Sequence, residues 1–298
     1  HPDRFGMMNQ NPTLTFSVLL RAARAALQWR LLLIWVLLML VPVAVICVPL
    51  WQMLGAGLDH SVHAAALAQQ LDMVAFTDLM SMHGKNAMAF TAAGVLAVAI
   101  TLLLSPFFSA MAAAAAREDA APSVRALVTG GLSGYPRMLR MLVWSAVPLG
   151  LAAALGGAAM DAAAEHGARA ITAADANLWS NLALALTGVL VMLAQASVDA
   201  GRAQFAIERR RSSAVKAWWA GCRMLARRPL HGLGAYLVIA LAGLALAALL
   251  ALARLNLSGA TLGGFIGAIV LVQLTVAVLG AMRSARLFAL VALARSAR

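Results

Sequence analysis

The sequence predicts an all-α, polytopic membrane protein with six transmembrane helices in three hairpins, each preceded by an amphipathic helix on the cytoplasmic surface. Three observations carry this. Hydrophobic residues make up 63% of the 298 residues, with a mean hydropathy of +0.86, against roughly 45–50% apolar residues in soluble domains. Apolar stretches recur along the chain at the length a membrane span needs, about 20 residues. The 23 Lys and Arg, against 11 Asp and Glu, bracket those stretches instead of forming one basic face. Membrane topology therefore explains them, and no nucleic-acid partner is expected.

Residues 1–6 precede Met7 and Met8 and read as an appended remnant, leaving 7–298 as a single integral membrane domain. Asn11-Pro12-Thr13 supplies a cap and an early-helix proline. Beyond it Phe16, Leu20, Ala23 and Leu27 share one helical face and Arg21, Arg24 and Gln28 another, which makes a first surface helix. The first span follows at 31–54, where Pro42 and Pro49 predict a kink or a broken upper end. In the polar interval 55–86, Leu67, Leu71, Val74, Ala75, Leu79 and Met82 predict an amphipathic helix outside the membrane. The second span covers 87–112, and Pro122-Ser123 opens a second surface helix that Gly130, Gly131 and Gly134 weaken. The third span is expected at 139–160 and the fourth at 178–200, with an acidic interval, 161–177, between them.

The densest basic run, from Arg202 to Arg211, leads into the third surface helix. There Val215, Trp218, Trp219, Cys222 and Leu225 recur on one face while Lys216, Arg223 and Arg227 fall on the other. The pattern predicts tryptophans among lipid headgroups, with these cations and Arg228 facing anionic lipid or docking a partner. Pro229 restricts Arg228 to a non-helical conformation and ends this helix. A fifth span at 230–253, a turn at 254–258, a sixth span at 260–282 and a cytoplasmic tail, 283–298, complete the chain. Cys47 and Cys222 fall at different depths and do not frame a disulfide scaffold.

Orientation follows from charge. The intervals 55–86, 156–178 and 254–261 hold six acids and three bases, and the remaining twenty bases and five acids lie on the other side. The positive-inside rule puts both termini and the surface helices in the cytoplasm. Alanine- and arginine-rich, lysine-poor usage points to a GC-rich bacterial genome, which with the spans gives a bacterial inner membrane as the expected location. An internal repeat is expected over 13–112, 122–200 and 212–282: Val124-Arg125-Ala126 and Val215-Lys216-Ala217 each precede a glycine, Gly130 and Gly221, six residues after the valine. The basic surface helix, Arg227-Arg228-Pro229 and the Ala/Leu-rich span after it resemble bacterial inner-membrane families built of transmembrane helical hairpins. The resemblance covers the chain in outline and implies no functional residue.

Three constellations bear on chemistry. His60 and His63, one helical turn apart, lie near His83 and among methionines, a soft donor set that suits copper(I). The plainer reading is a solvated outer helix with methionines packed on the bundle. Gly259, Gly263 and Gly267 recur every four residues, which predicts close helix packing within the bundle or between copies. Asp199, at the inner end of its span, is placed to pair with Arg202 at the interface. Thr101, Ser145, Asn181, Thr187 and Gln273 are uncharged, which disfavours ion-coupled transport, and the chain carries no nucleotide, nucleophile-elbow or zinc-protease motif. The expected function is therefore non-catalytic: an accessory or assembly subunit of a membrane complex, with anionic lipids and another membrane protein or a second copy as partners. The alternatives are a permease-like component moving a lipid or small amphiphile with a separate ATPase, and copper handling at the outer face.

Overall fold

The computed structural model describes residues 21, 23–58, 87–118, 120–170, 172–208, 210, 212–257 and 261–296. These residues are all-α: α1 (Trp29–Leu58), α2 (Ala87–Ala115), α3 (Val124–Arg169), α4 (Ala173–Ile207), α5 (Ala214–Arg227), α6 (Pro229–Leu255) and α7 (Leu262–Arg295). All but α5 are long and apolar enough to cross a membrane, and they fall on the six expected spans. Their outward side chains confirm which solvent suits them. Leu182, Leu184, Leu186 and Val189 of α4 and Leu241, Leu244 and Leu249 of α6 are exposed, a surface that hydrocarbon accepts and water does not.

Two expectations about helix ends are overturned. The second surface helix and the third span are one helix, since α3 runs unbroken through Gly130, Gly131, Gly134, Pro136 and Pro148. Its 46 residues span about 69 Å at 1.5 Å per residue, more than twice the hydrocarbon thickness of about 30 Å. Helix propensity loses here to packing: a Cβ on Gly130 would lie 2.6 Å from Ala114 Cβ, and one on Gly134 2.9 Å from Ala110 Cβ. These glycines let α3 close onto the end of α2. The expected tail is the second case. α7 continues to Arg295, and Ser284, Leu287, Phe288, Leu290, Val291 and Leu293 are buried, so most of 284–294 packs into the core. The first surface helix lies mostly outside the described residues; of its described part, 21 and 23–25 are helical.

The described chain divides into two compact units. One comprises Ser109–Ala240 and Arg283–Arg298 with His1–Leu27. Its core is built from Met111, Leu127, Met141, Val198, Phe205, Tyr236 and Leu290, with alanines such as Ala112, Ala196, Ala200 and Ala203 between them. Small residues bring helix axes close, and dispersion contacts are the gain. α3 and α4 pack along each other, and Thr187 Oγ1 donates to Gly156 O at 3.4 Å, where a Cβ on Gly156 would meet Thr187 Cγ2. Thr172 caps the following α4 by accepting from Asp175 N at 3.2 Å. At the same C-terminal end of α2, Arg295 Nη2 donates to Ala116 O at 3.1 Å and Arg117 O at 3.3 Å, a cation satisfying terminal carbonyls.

The other unit comprises Gln28–Phe108 and Leu241–Met282. Trp35 organises it: its Nε1 donates to Val276 O at 3.0 Å, its ring packs on Phe108 at 4.2 Å, and Gly280 lies against the indole. Of the three glycines expected to pack helices, Gly259 is outside the described residues. Gly263 faces open space, and a Cβ on Gly267 would lie 3.3 Å from the nearby Leu257 Cδ1. The close approaches in this unit are instead at Gly280 and at Gly243, where a Cβ would lie 2.6 Å from Met282 Cγ. Spacing alone marks small residues and not which face meets a neighbour. Gly280→Ala should therefore lower the thermal unfolding midpoint in detergent by the equivalent of about 1–3 kcal/mol, because the methyl group has to displace the indole. Gly263→Ala should leave that midpoint in place.

Candidate docking groove on α5

The groove begins with a helix stop and a helix start. Ser213 caps α5, its side chain accepting from Lys216 N at 3.4 Å, and Arg140 Nη1 of α3 donates to Ser212 O at 3.3 Å. At the far end Arg228 leaves the helix, as Pro229 dictates, with φ −140° and ψ 61°. Between them Ala217, Gly221, Met224 and Leu225 are buried, a helical stripe turned onto α4. Gly221 makes the tightest approach, and a Cβ there would stand 2.6 Å from Ala200 C and Gly201 N.

The two tryptophans part company, against the expectation that both sit among headgroups. Trp218 turns inward: its Nε1 donates to Ser197 Oγ at 2.9 Å and its ring meets Trp144 edge-on at 5.7 Å. Trp219, about 100° further round the helix, is 59% exposed. The contact stripe is set by Ala217 and Gly221, the residues small enough for close approach, so the largest side chains flank it. Gln204 Nε2 lies 3.7 Å from Met224 Sδ across the same seam. Cys222 is partly buried, which pushes its thiol pKa up despite the opposing hydrogen bond from Ser197. It stays a neutral, weakly nucleophilic thiol at neutral pH.

Beside the stripe that packs on α4, the flank of α5 lines a groove of about 670 Å³. Lys216, Arg223, Arg227 and Arg228 line it together with Trp219, Val215, Ala220, Met224, Gln204 and Ala294. All the cations expected to dock lipid or a partner are thus in one place, and no carboxylate belongs to the described lining. Such a wall offers charge to an anion and an exposed indole face beside it. His60, His63 and His83 lie outside the described residues, and among the described ones no group of three metal-ligating side chains forms.

A buried polar network supports the bundle beneath. Asp199 pairs with Arg202 at 2.6 Å as expected, and both residues are buried among the helices, Asp199 at 4% exposure. Tyr236 OH donates to Asp199 Oδ2 at 3.0 Å, and Arg286 Nη1 donates to Tyr236 OH at 3.0 Å with its guanidinium over the ring at 4.9 Å. Arg283 Nη2 donates to Ser109 Oγ at 3.0 Å. Four helices are joined by these bonds. The crevice beside Tyr236 and Arg286 is too narrow to admit a water molecule. Sequence reading missed Tyr236, Arg283, Arg286 and Ser109; the available signal was Arg283 and Arg286 one turn apart, followed by an apolar run too long for a tail.

No protein family, curated protein or solved structure matches the chain.

Proposed function

We propose that the protein is a non-catalytic subunit of a bacterial inner-membrane complex, with both termini cytoplasmic, that assembles with its partner through α5. The observation that carries this reading is the mounting of α5. Its small-residue stripe is fixed on α4 by Gly221 and by the Trp218–Ser197 bond, so Lys216, Arg223, Arg227 and Arg228 are held in one groove. Preorganised cations of this kind favour association over chemistry. The charge asymmetry of the sequence supports the cytoplasmic side for that groove. The repeat finds support in a shared contact: Gly130 and Gly221, each six residues after its valine, meet the end of the preceding apolar helix at Ala114 and at Ala200. The contact supports an equivalence of the second and third lead-in segments, the second continuous with its span and the third separated from it at Pro229.

The test is a mild-detergent pull-down of Arg223→Gln/Arg227→Gln. Both side chains are exposed, so the variant should insert and fold as the parent does. It should nevertheless recover its membrane partner at a tenth or less of the parent level, given about 1.4 kcal/mol per tenfold change. Equal recovery from parent and variant would remove α5 as the docking element.

A further inference from the structure

We infer that the α5 groove holds the phosphate-bearing headgroup of an anionic diacyl phospholipid, which completes the surface the partner meets. The inference rests on α5 being the docking face and names what fills it. Charge complementarity supplies the first argument: Arg223, Arg227 and Arg228 stand with Lys216 around a lining whose described residues include no carboxylate. Guanidinium forks bind phosphate oxygens bidentately, as they do carboxylate oxygens, so the cations call for an anion and the rest of the lining chooses between a headgroup and an acidic peptide.

The second argument is that the lining is divided, with Val215, Trp219 and Met224 beside the cations. An acidic peptide has no use for that wall, whereas a glycerol backbone and the first acyl carbons do. Trp219 and Val215 are both exposed, the placement of an indole at the headgroup level. Just past Arg228, Leu230 is 84% exposed, and a leucine so placed belongs at the hydrocarbon boundary. Size supplies the third: the open groove of about 670 Å³ has more room than a free phosphate needs and accommodates a headgroup with its glycerol.

The experiment titrates the full-length protein in detergent with phosphatidylglycerol or phosphatidylcholine and counts bound lipid by native mass spectrometry. Inorganic phosphate and a hexaglutamate peptide serve as competitors. The parent should prefer phosphatidylglycerol at least about tenfold, Arg223→Gln/Arg227→Gln should abolish that preference, and Trp219→Ala should weaken it several-fold. Neither phosphate nor peptide should displace the lipid at equal concentration. Equal binding of the two lipids, an unchanged preference in the arginine variant, or displacement by either competitor would overturn the inference. Should the double variant fail to fold, Arg227→Gln/Arg228→Gln takes its place with the same expected loss. The pull-down, run in parallel, separates the two readings. Partner loss without any lipid preference in the parent defeats the lipid alone, and lipid preference with undiminished partner recovery defeats the docking role alone.

Discussion

Gly221→Val should detach α5 from the bundle, the largest local effect expected of any single substitution on this helix. The Cβ would stand 2.6 Å from Ala200 C and Gly201 N and 2.9 Å from Ala200 Cβ. Two of those atoms are helix backbone, so no rotamer change relieves the collision and the whole of α5 has to lift. Overpacking of this kind costs about 1–3 kcal/mol and more where backbone is involved, and the lifted helix also gives up the Trp218–Ser197 bond. Limited trypsin digestion reads this directly, because Arg223 and Arg227 become cleavable once α5 leaves α4. The variant should be cut there at least about tenfold faster than the parent, and Gly234→Ala, which has nothing within 4 Å, should be cut at the parent rate.

Asp199→Leu should destabilise the protein by about 3–5 kcal/mol, the cost of leaving a buried charge without its partner. The carboxylate receives Arg202 at 2.6 Å and Tyr236 at 3.0 Å. Without it the Arg202 guanidinium, nearly as buried as the aspartate, loses its counter-charge, and Tyr236 loses its acceptor. The double variant Asp199→Leu/Arg202→Leu should be more stable than Asp199→Leu alone, since removing both charges also removes the desolvation that each suffers. Thermal unfolding in detergent, followed for Asp199→Leu, Arg202→Leu and the double variant, gives the coupling. If the double variant were no better than the worse single, Asp199 would be acting through something other than charge.

The spans were legible because nothing competes with an apolar run of about 20 residues for the bilayer, and Pro229 was legible because its ring acts on its own neighbour. Other features depended on tertiary neighbours that a linear reading lacks. Gly130 and Gly134 carry a local propensity cost, and only Ala114 and Ala110 opposite them turn that cost into the condition for close packing. Arg283 and Arg286 look like a membrane exit, yet they bond Ser109 and Tyr236, and the helix continues past them. The α5 cations were found because charge on an amphipathic helix leaves a periodic signature. The division of Trp218 from Trp219 was not, since helical spacing puts both near the apolar side and only the Ala217–Gly221 contact chooses between them.

The most direct measurement of the central claim, that the α5 groove is an open basic surface on the cytoplasmic side, is thiol labelling at position 223. In a Cys47→Ser/Cys222→Ser background, Arg223→Cys would be treated with a membrane-impermeant maleimide in inverted and in right-side-out vesicles. The groove being open and cytoplasmic, the thiol should label rapidly in inverted vesicles and hardly at all in right-side-out ones. Labelling from the opposite face, or from neither face before detergent is added, would contradict the account.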